Sequence, residues 1–143
     1  MIGKVLVAVD GSENSDRALD FALDFAEKYE ASLTIINVSE SAPAMAVYPD
    51  DSMVVVAKDL RKFHESTLQK AMDYAKQAKP NMVISSSFRE GDPAVEIASE
   101  SKEGTFDVVV VGHHGAGKVR DFFLGSISEK VIRSVSCTVV IVR

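Results

Sequence analysis

The chain has 143 residues, a length suited to one domain over residues 1–143 with a single sizeable core; 46% of them are apolar and 26% charged, an ordinary globular balance. A net charge of −5 leaves no basic face for nucleic acid, and no apolar run approaches the ~18 residues that span a bilayer. The single cysteine, Cys137, excludes a disulfide framework and fits a reducing cytoplasm, while the opening MIGKVLVAVDGS has too short an apolar run before Asp10 for a secretory signal.

In chain order, KVLVAV (4–9) is an unbroken β-branched run, the pattern of a strand covered on both faces. DGSENS follows as turn chemistry with several candidate helix caps. Ala18, Leu19, Ala22, Leu23, Ala26 and Tyr29 recur at helical spacing and predict an amphipathic helix over 16–29. SLTIINV (32–38) reads as a second strand, and 39–51, with two prolines, as a long irregular loop placed to lie over a ligand as a lid. A long helix is expected from 52 to 79, with Leu60, Phe63, Leu68, Ala71, Met72 and Ala75 inward and Pro80 ending it. MVISSSF (82–88) is a weaker third strand, and Asp92-Pro93 has the chemistry of a helix start, Asp as N-cap and Pro at the first helical position. FDVVVVG (106–112), a helix over 126–134 and CTVVIVR (137–143) complete the chain. Strands alternate with helices throughout, which predicts an α/β fold: an open, doubly wound, parallel five-stranded sheet with helices on both faces and right-handed crossovers. Such sheets bind ligands at the carboxyl ends of their strands, where the winding reverses.

The stretch GHHGAGKVRDFFLGS (112–126) begins like a phosphate-binding Walker A loop, with Gly112, Gly117 and Lys118 in register. Position 119 is Val, however, where Ser or Thr should hold magnesium, and no later strand ends in Asp. The loop makes better sense as two backbone cradles. Gly112 and Gly115 let the chain turn close to a ligand without a Cβ in the way. Nine residues later Gly125-Ser126 opens a helix, whose N-terminus offers unpaired N–H groups and partial positive charge to a phosphate. Ser126 and Ser128 add hydroxyls, and Lys118 and Arg120 add positive charge between the cradles.

Gly112-x2-Gly115-x9-Gly125-Ser126 resembles the ATP-binding signature of the universal stress protein family, G-x2-G-x9-G-[ST]. The similarity runs the length of the chain, through KVLVAVDGSENSDRAL, the GDP before the third helix, DVVVVGHHG and LGSISEKVIRSVSCTVVIVR. It implies a Rossmann-like fold of the adenine nucleotide alpha-hydrolase-like type and a bound adenine nucleotide: ATP, with AMP and ADP as alternatives, and Mg²⁺ or Mn²⁺ accompanying the phosphates. Carried over by position, Asp10 would accept from the ribose hydroxyls, and Val9 and Val38 would contact the adenine, Val38 partly through its backbone. Val111, Gly112, His114 and Gly115 would face ribose and phosphates, and Gly125, Ser126, Ile127 and Ser128 would meet the phosphates. Asp10 suits this role independently, because a strand-end carboxylate is a good acceptor for vicinal hydroxyls. One departure is that Val9 stands before Asp10 where some binders carry Pro or Thr. The family also implies a homodimer through the last strand (138–143), whose apolar edge lacks Pro or Lys inside it.

Other residues carry less. His113 and His114 are adjacent with no acid or further His at ligand spacing, so no metal site is assigned to side chains. His64 reads as part of a solvated helix face, Cys137 as a small buried hydrophobe, and Ser85 to Ser87 as a strand end that could equally approach a ligand or be solvated. A receiver domain shares the size and winding but needs an Asp ending its third strand, where this chain has SSSF. With no second acid placed near a γ-phosphate, the expected function is nucleotide-dependent regulation in a stress response, with at most slow hydrolysis and no catalytic residue. The alternative is a nucleotide-independent dimeric interaction module of the same fold, without nucleic acid or membrane among its partners.

Overall fold

The computed structural model describes residues 1–40, 51–114 and 124–143, the side chains of 51–57 excepted. Its elements are β1 (Lys4–Ala8), α1 (Glu13–Lys28), β2 (Ser32–Ser39), α2 (Asp51–Ala78), β3 (Ile84–Glu90), α3 (Pro93–Glu103), β4 (Val108–Gly112), α4 (Ser126–Ser134) and β5 (Thr138–Val142). The strands form one parallel sheet in the order β3-β2-β1-β4-β5. The lid expected at 39–51 falls mostly outside the described residues, as do Gly115, Gly117, Lys118 and Arg120.

Why the sheet is covered on both faces follows from the valine-rich strands. Val5, Val7, Leu33, Ile35, Val108 and Val110 point to one side and pack with Ala18, Leu19, Ala22 and Leu23 of α1 and Leu68, Met72 and Ala75 of α2. Leu6, Ile36, Val109 and Val111 alternate to the other side, against Ala94 and Ile97 of α3 and Val131 of α4. Each such side chain contributes roughly 1.5–3 kcal/mol when fully buried, so the two layers hold the strand ends in a fixed frame.

Several boundaries differ from the sequence reading: β4 begins at Val108 rather than residue 106, β5 spans Thr138–Val142 rather than 137–143, and α1 and β3 are displaced as follows. α1 starts at Glu13 rather than residue 16, because the Ser12 side chain accepts the N–H of Ser15 at 3.2 Å and caps the helix earlier. β3 runs from 84 to 90 rather than 82 to 88, its register set by β2, with Leu33 opposite Ile84 and Ser39 opposite Glu90. As an edge strand it lacks the apolar run that marks the central ones, and Ser85 and Ser86 are exposed. Ser87 does not solvate a strand end; its hydroxyl donates to Glu100 on α3 at 2.9 Å. Arg89 beside it binds Glu100 at 2.6 Å and Glu103 at 2.6 Å, tying the edge strand to α3. As expected, α3 has Pro93 in its first turn and Asp92 as its cap, accepting from Val95 N–H at 3.1 Å.

Candidate functional site

The chain steps outward from β1 to β2 to β3, then returns to the far side of β1 to begin β4. At that reversal the segments leaving β1 and β4 part, and a cleft of about 490 Å³ opens between them. Its walls bring together Val9 and Asp10 from the end of β1, Val38 from β2, Val111, Gly112 and His114 from β4, and Gly125, Ser126, Ile127 and Ser128 from α4. Of the residues expected to form a site, Gly115 alone lies outside the described ones.

The β4 side of the cleft ends in a helix, α4, that has no side-chain cap among the described residues. The first intrahelical bond of α4 runs from Glu129 N–H to Gly125 O, so the N–H groups of Ser126, Ile127 and Ser128 precede it. Gly125 provides no side-chain cap, whereas α1 and α3 are capped by Ser12 and Asp92. The Ser128 hydroxyl is turned away, donating to the carbonyls of Gly112 at 2.7 Å and His113 at 3.2 Å. What Ser128 offers the cleft is therefore its main-chain N–H. Beside it, both ring nitrogens of His114 are enclosed and make no hydrogen bond among the described residues. A buried polar atom left so is costly; an anionic ligand in the cleft would accept from the protonated ring nitrogen. Its ring rests edge-on against the buried His113, centroids 3.9 Å apart. Among the described residues no cluster of three His, Cys, Asp or Glu could hold a metal.

Gly112 is glycine for a reason the spacing did not reveal. A Cβ there would lie 2.9 Å from the carbonyl carbon and oxygen of Asn14, so the residue lets the first turn of α1 press against the end of β4. Asp10 joins a turn as well as the cleft: its Oδ1 accepts from Ser12 N–H at 2.8 Å, and its own N–H donates to the Ser15 hydroxyl at 3.2 Å. The turn fixes the carboxylate at the cleft wall and uses one of its oxygens.

The family model for the universal stress protein family matches residues 1–143. The chain belongs to that family. It is 31% identical over 150 residues to the universal stress protein YxiE of Bacillus subtilis, with all of both chains covered. Among solved structures, universal stress protein UspA from Lactobacillus plantarum superposes with a TM-score of 0.85 at 22% identity, covering 99% of this chain and 97% of that one. A universal stress protein crystallised in complex with cAMP superposes with a TM-score of 0.74 at 27% identity, covering 99% and 97%.

Within this universal stress protein fold the cleft has three chemical zones. β2 and β4 flank β1 on opposite sides, so their ends stand roughly 10 Å apart. On the β2 side Ile36 and Val38, from the sheet face covered by α3 and α4, and the exposed Leu60 and Phe63 of α2 line an apolar part of the cleft; Asp10 stands at the end of β1, and the α4 terminus follows β4. The sequence reading missed one component of the apolar zone. His64, expected on a solvated face, lines the cleft and is half-buried, with its Nδ1 3.1 Å from Oδ1 of Asn37. Asn37 is 1% exposed, and its Nδ2 donates to Val9 O at 2.8 Å. The β1–β2 ladder ends one bond earlier, at Val9 N–H to Ile36 O, so the Asn37 side chain takes the carbonyl that the next rung would have used. Cys137, placed by the sequence in the last strand, precedes β5 and is half-buried against the α3–α4 layer.

Proposed function

We propose that this protein binds an adenine nucleotide, ATP first among them, and acts as a nucleotide-dependent regulatory module of the stress response. The observation that carries this reading is the order of zones in one cleft: an apolar slot, a central carboxylate and an uncapped helix terminus, the sequence of a base, a sugar and phosphates. The cAMP complex of a 27% identical relative supports the same class of ligand. Asp10 serves the ribose hydroxyls, the N–H groups of Ser126, Ile127 and Ser128 serve the phosphates, and Mg²⁺ or Mn²⁺ accompanies the phosphates rather than a side-chain cluster. Among the described residues two carboxylates line the cleft, Asp10 and Glu40.

The test is to denature freshly purified protein and identify released nucleotide by mass spectrometry, then to add Mg-ATP to emptied protein. Release near one ATP per chain is expected, and a hundredfold excess over Kd should stabilise the fold by about 2.7 kcal/mol. An empty protein that gains no thermal stability from Mg-ATP would overturn the reading.

We also propose a homodimer through β5. This strand forms one edge of the sheet, and Val139, Val140, Ile141 and Val142 are partly exposed along it, a surface suited to pairing with a second copy. Light scattering at micromolar protein should give twice 15.5 kDa; the monomer mass would refute it.

A further inference from the structure

We propose that His64 is a base-selecting residue: its Nε2 accepts a hydrogen bond from the exocyclic amine of the bound adenine. This inference rests on the adenine-nucleotide reading of the cleft and deepens it. The argument begins from a carbonyl. Val9 O can only accept, so the Asn37 atom 2.8 Å from it is the amide nitrogen, and the amide oxygen faces His64. An oxygen acceptor 3.1 Å from Nδ1 requires Nδ1 to carry the proton. In the neutral imidazole the other nitrogen, Nε2, is then a bare acceptor. It lies on the ring edge away from Asn37, and no described residue donates to it.

Position decides what it accepts from. His64 lies against Asn37 of β2, across β1 from β4, and lines the cleft together with Val38, Leu60 and Phe63. A flat apolar base fits that zone; its edge can meet the Val38 backbone and, among the side chains there, the Nε2 acceptor of His64. The tautomer matters as much as the place. Because Asn37 is buried and pinned to the β1 backbone, the ring is held with its acceptor outward, so the site favours a purine carrying a donor at position 6. A base without that amine leaves Nε2 desolvated and unpaired, and selectivity built on an unpaired site group is larger than selectivity built on shape.

The experiment compares Kd for ATP and for purine riboside 5′-triphosphate, which lacks only the 6-amino group, in the wild type, His64→Leu and His64→Gln. Gln can donate its amide to Asn37 and still present an oxygen acceptor, so it separates the hydrogen bond from the ring. The wild type should prefer ATP by about tenfold or more, the worth of roughly one hydrogen bond. His64→Leu should bring the two within about twofold, and His64→Gln should keep most of the preference. Equal binding of both ligands by the wild type, or a preference that survives in His64→Leu, overturns the role of His64 and leaves the adenine-nucleotide reading standing. A wild type that binds neither triphosphate overturns both. Melting temperatures of the three proteins, measured without ligand, identify a variant that has lost its fold, in which case the His64→Gln ratio decides.

Discussion

The two ends of the sheet carry hollows of similar size and opposite chemistry. At the amino end a hollow of about 530 Å³ lies among Gly3, Glu27, Lys79 and their neighbours. Lys79 Nζ is paired with Asp24 at 3.0 Å and with Glu27, and nearby the Asp107 carboxylate accepts from Gly3 and Lys4 N–H at 2.8 and 2.9 Å. At the carboxyl end the cleft of about 490 Å³ holds three helical N–H groups without a cap and two enclosed His114 nitrogens without a partner among the described residues. Volume does not distinguish the two hollows. Pairing does: at one end Lys79 and Asp107 are bonded within the chain, and at the other the first N–H groups of α4 have no side-chain cap among the described residues. The same contrast recurs between helices, because α1 and α4 follow neighbouring strands and only α1 closes its own terminus.

The largest expected effect comes from closing the open end. Gly125 has φ −61° and ψ 154°, ordinary extended geometry that an aspartate can adopt. Gly125→Asp places a carboxylate at the N-cap, where it bonds the free N–H groups and repels phosphate. Affinity for ATP should fall at least about a hundredfold by isothermal titration, while the ligand-free protein gains roughly 0.3–0.5 kcal/mol in urea unfolding. A variant that loses stability and keeps its affinity would erase the difference between the two ends.

A smaller effect is expected at the closed end. The backbone hydrogen bonds from Gly3 and then Lys4 hold the Asp107 carboxyl below the usual carboxylate range. Its contribution to stability is therefore fully present above the ordinary carboxylate pKa and is lost as pH falls through the lower folded value. Asp107→Asn should melt lower than the wild type at neutral pH, converge with it in acid, and bind ATP unchanged. A stability gap that is flat with pH would show that the carboxylate's charge is irrelevant there.

Much of this was legible in the sequence, for reasons that can be named. Central strands of a doubly covered sheet announce themselves as valine runs, as in VVVV of β4, and glycine with serine at a helix start announces an unusual terminus. Edge strand β3 was displaced by two residues because its serines carry neither alternation nor an apolar run. Asn37 and His64 lie 27 positions apart and meet only because α2 folds back over β2; no local pattern marks either one. The purpose of Gly112 was similarly hidden, since the atoms that would clash with a Cβ belong to Asn14, on another element.

The neck of the β4–α4 connection has a further consequence. Gly125 N–H bonds His113 O at 2.9 Å, and the Ser128 hydroxyl bonds the carbonyls of Gly112 and His113. The end of β4 and the start of α4 are thus fastened directly to each other, by one main-chain and two hydroxyl hydrogen bonds. The strand end that carries Gly112 and the helix end that presents the N–H groups of Ser126, Ile127 and Ser128 are therefore held in one register, so a push on either is felt by the other.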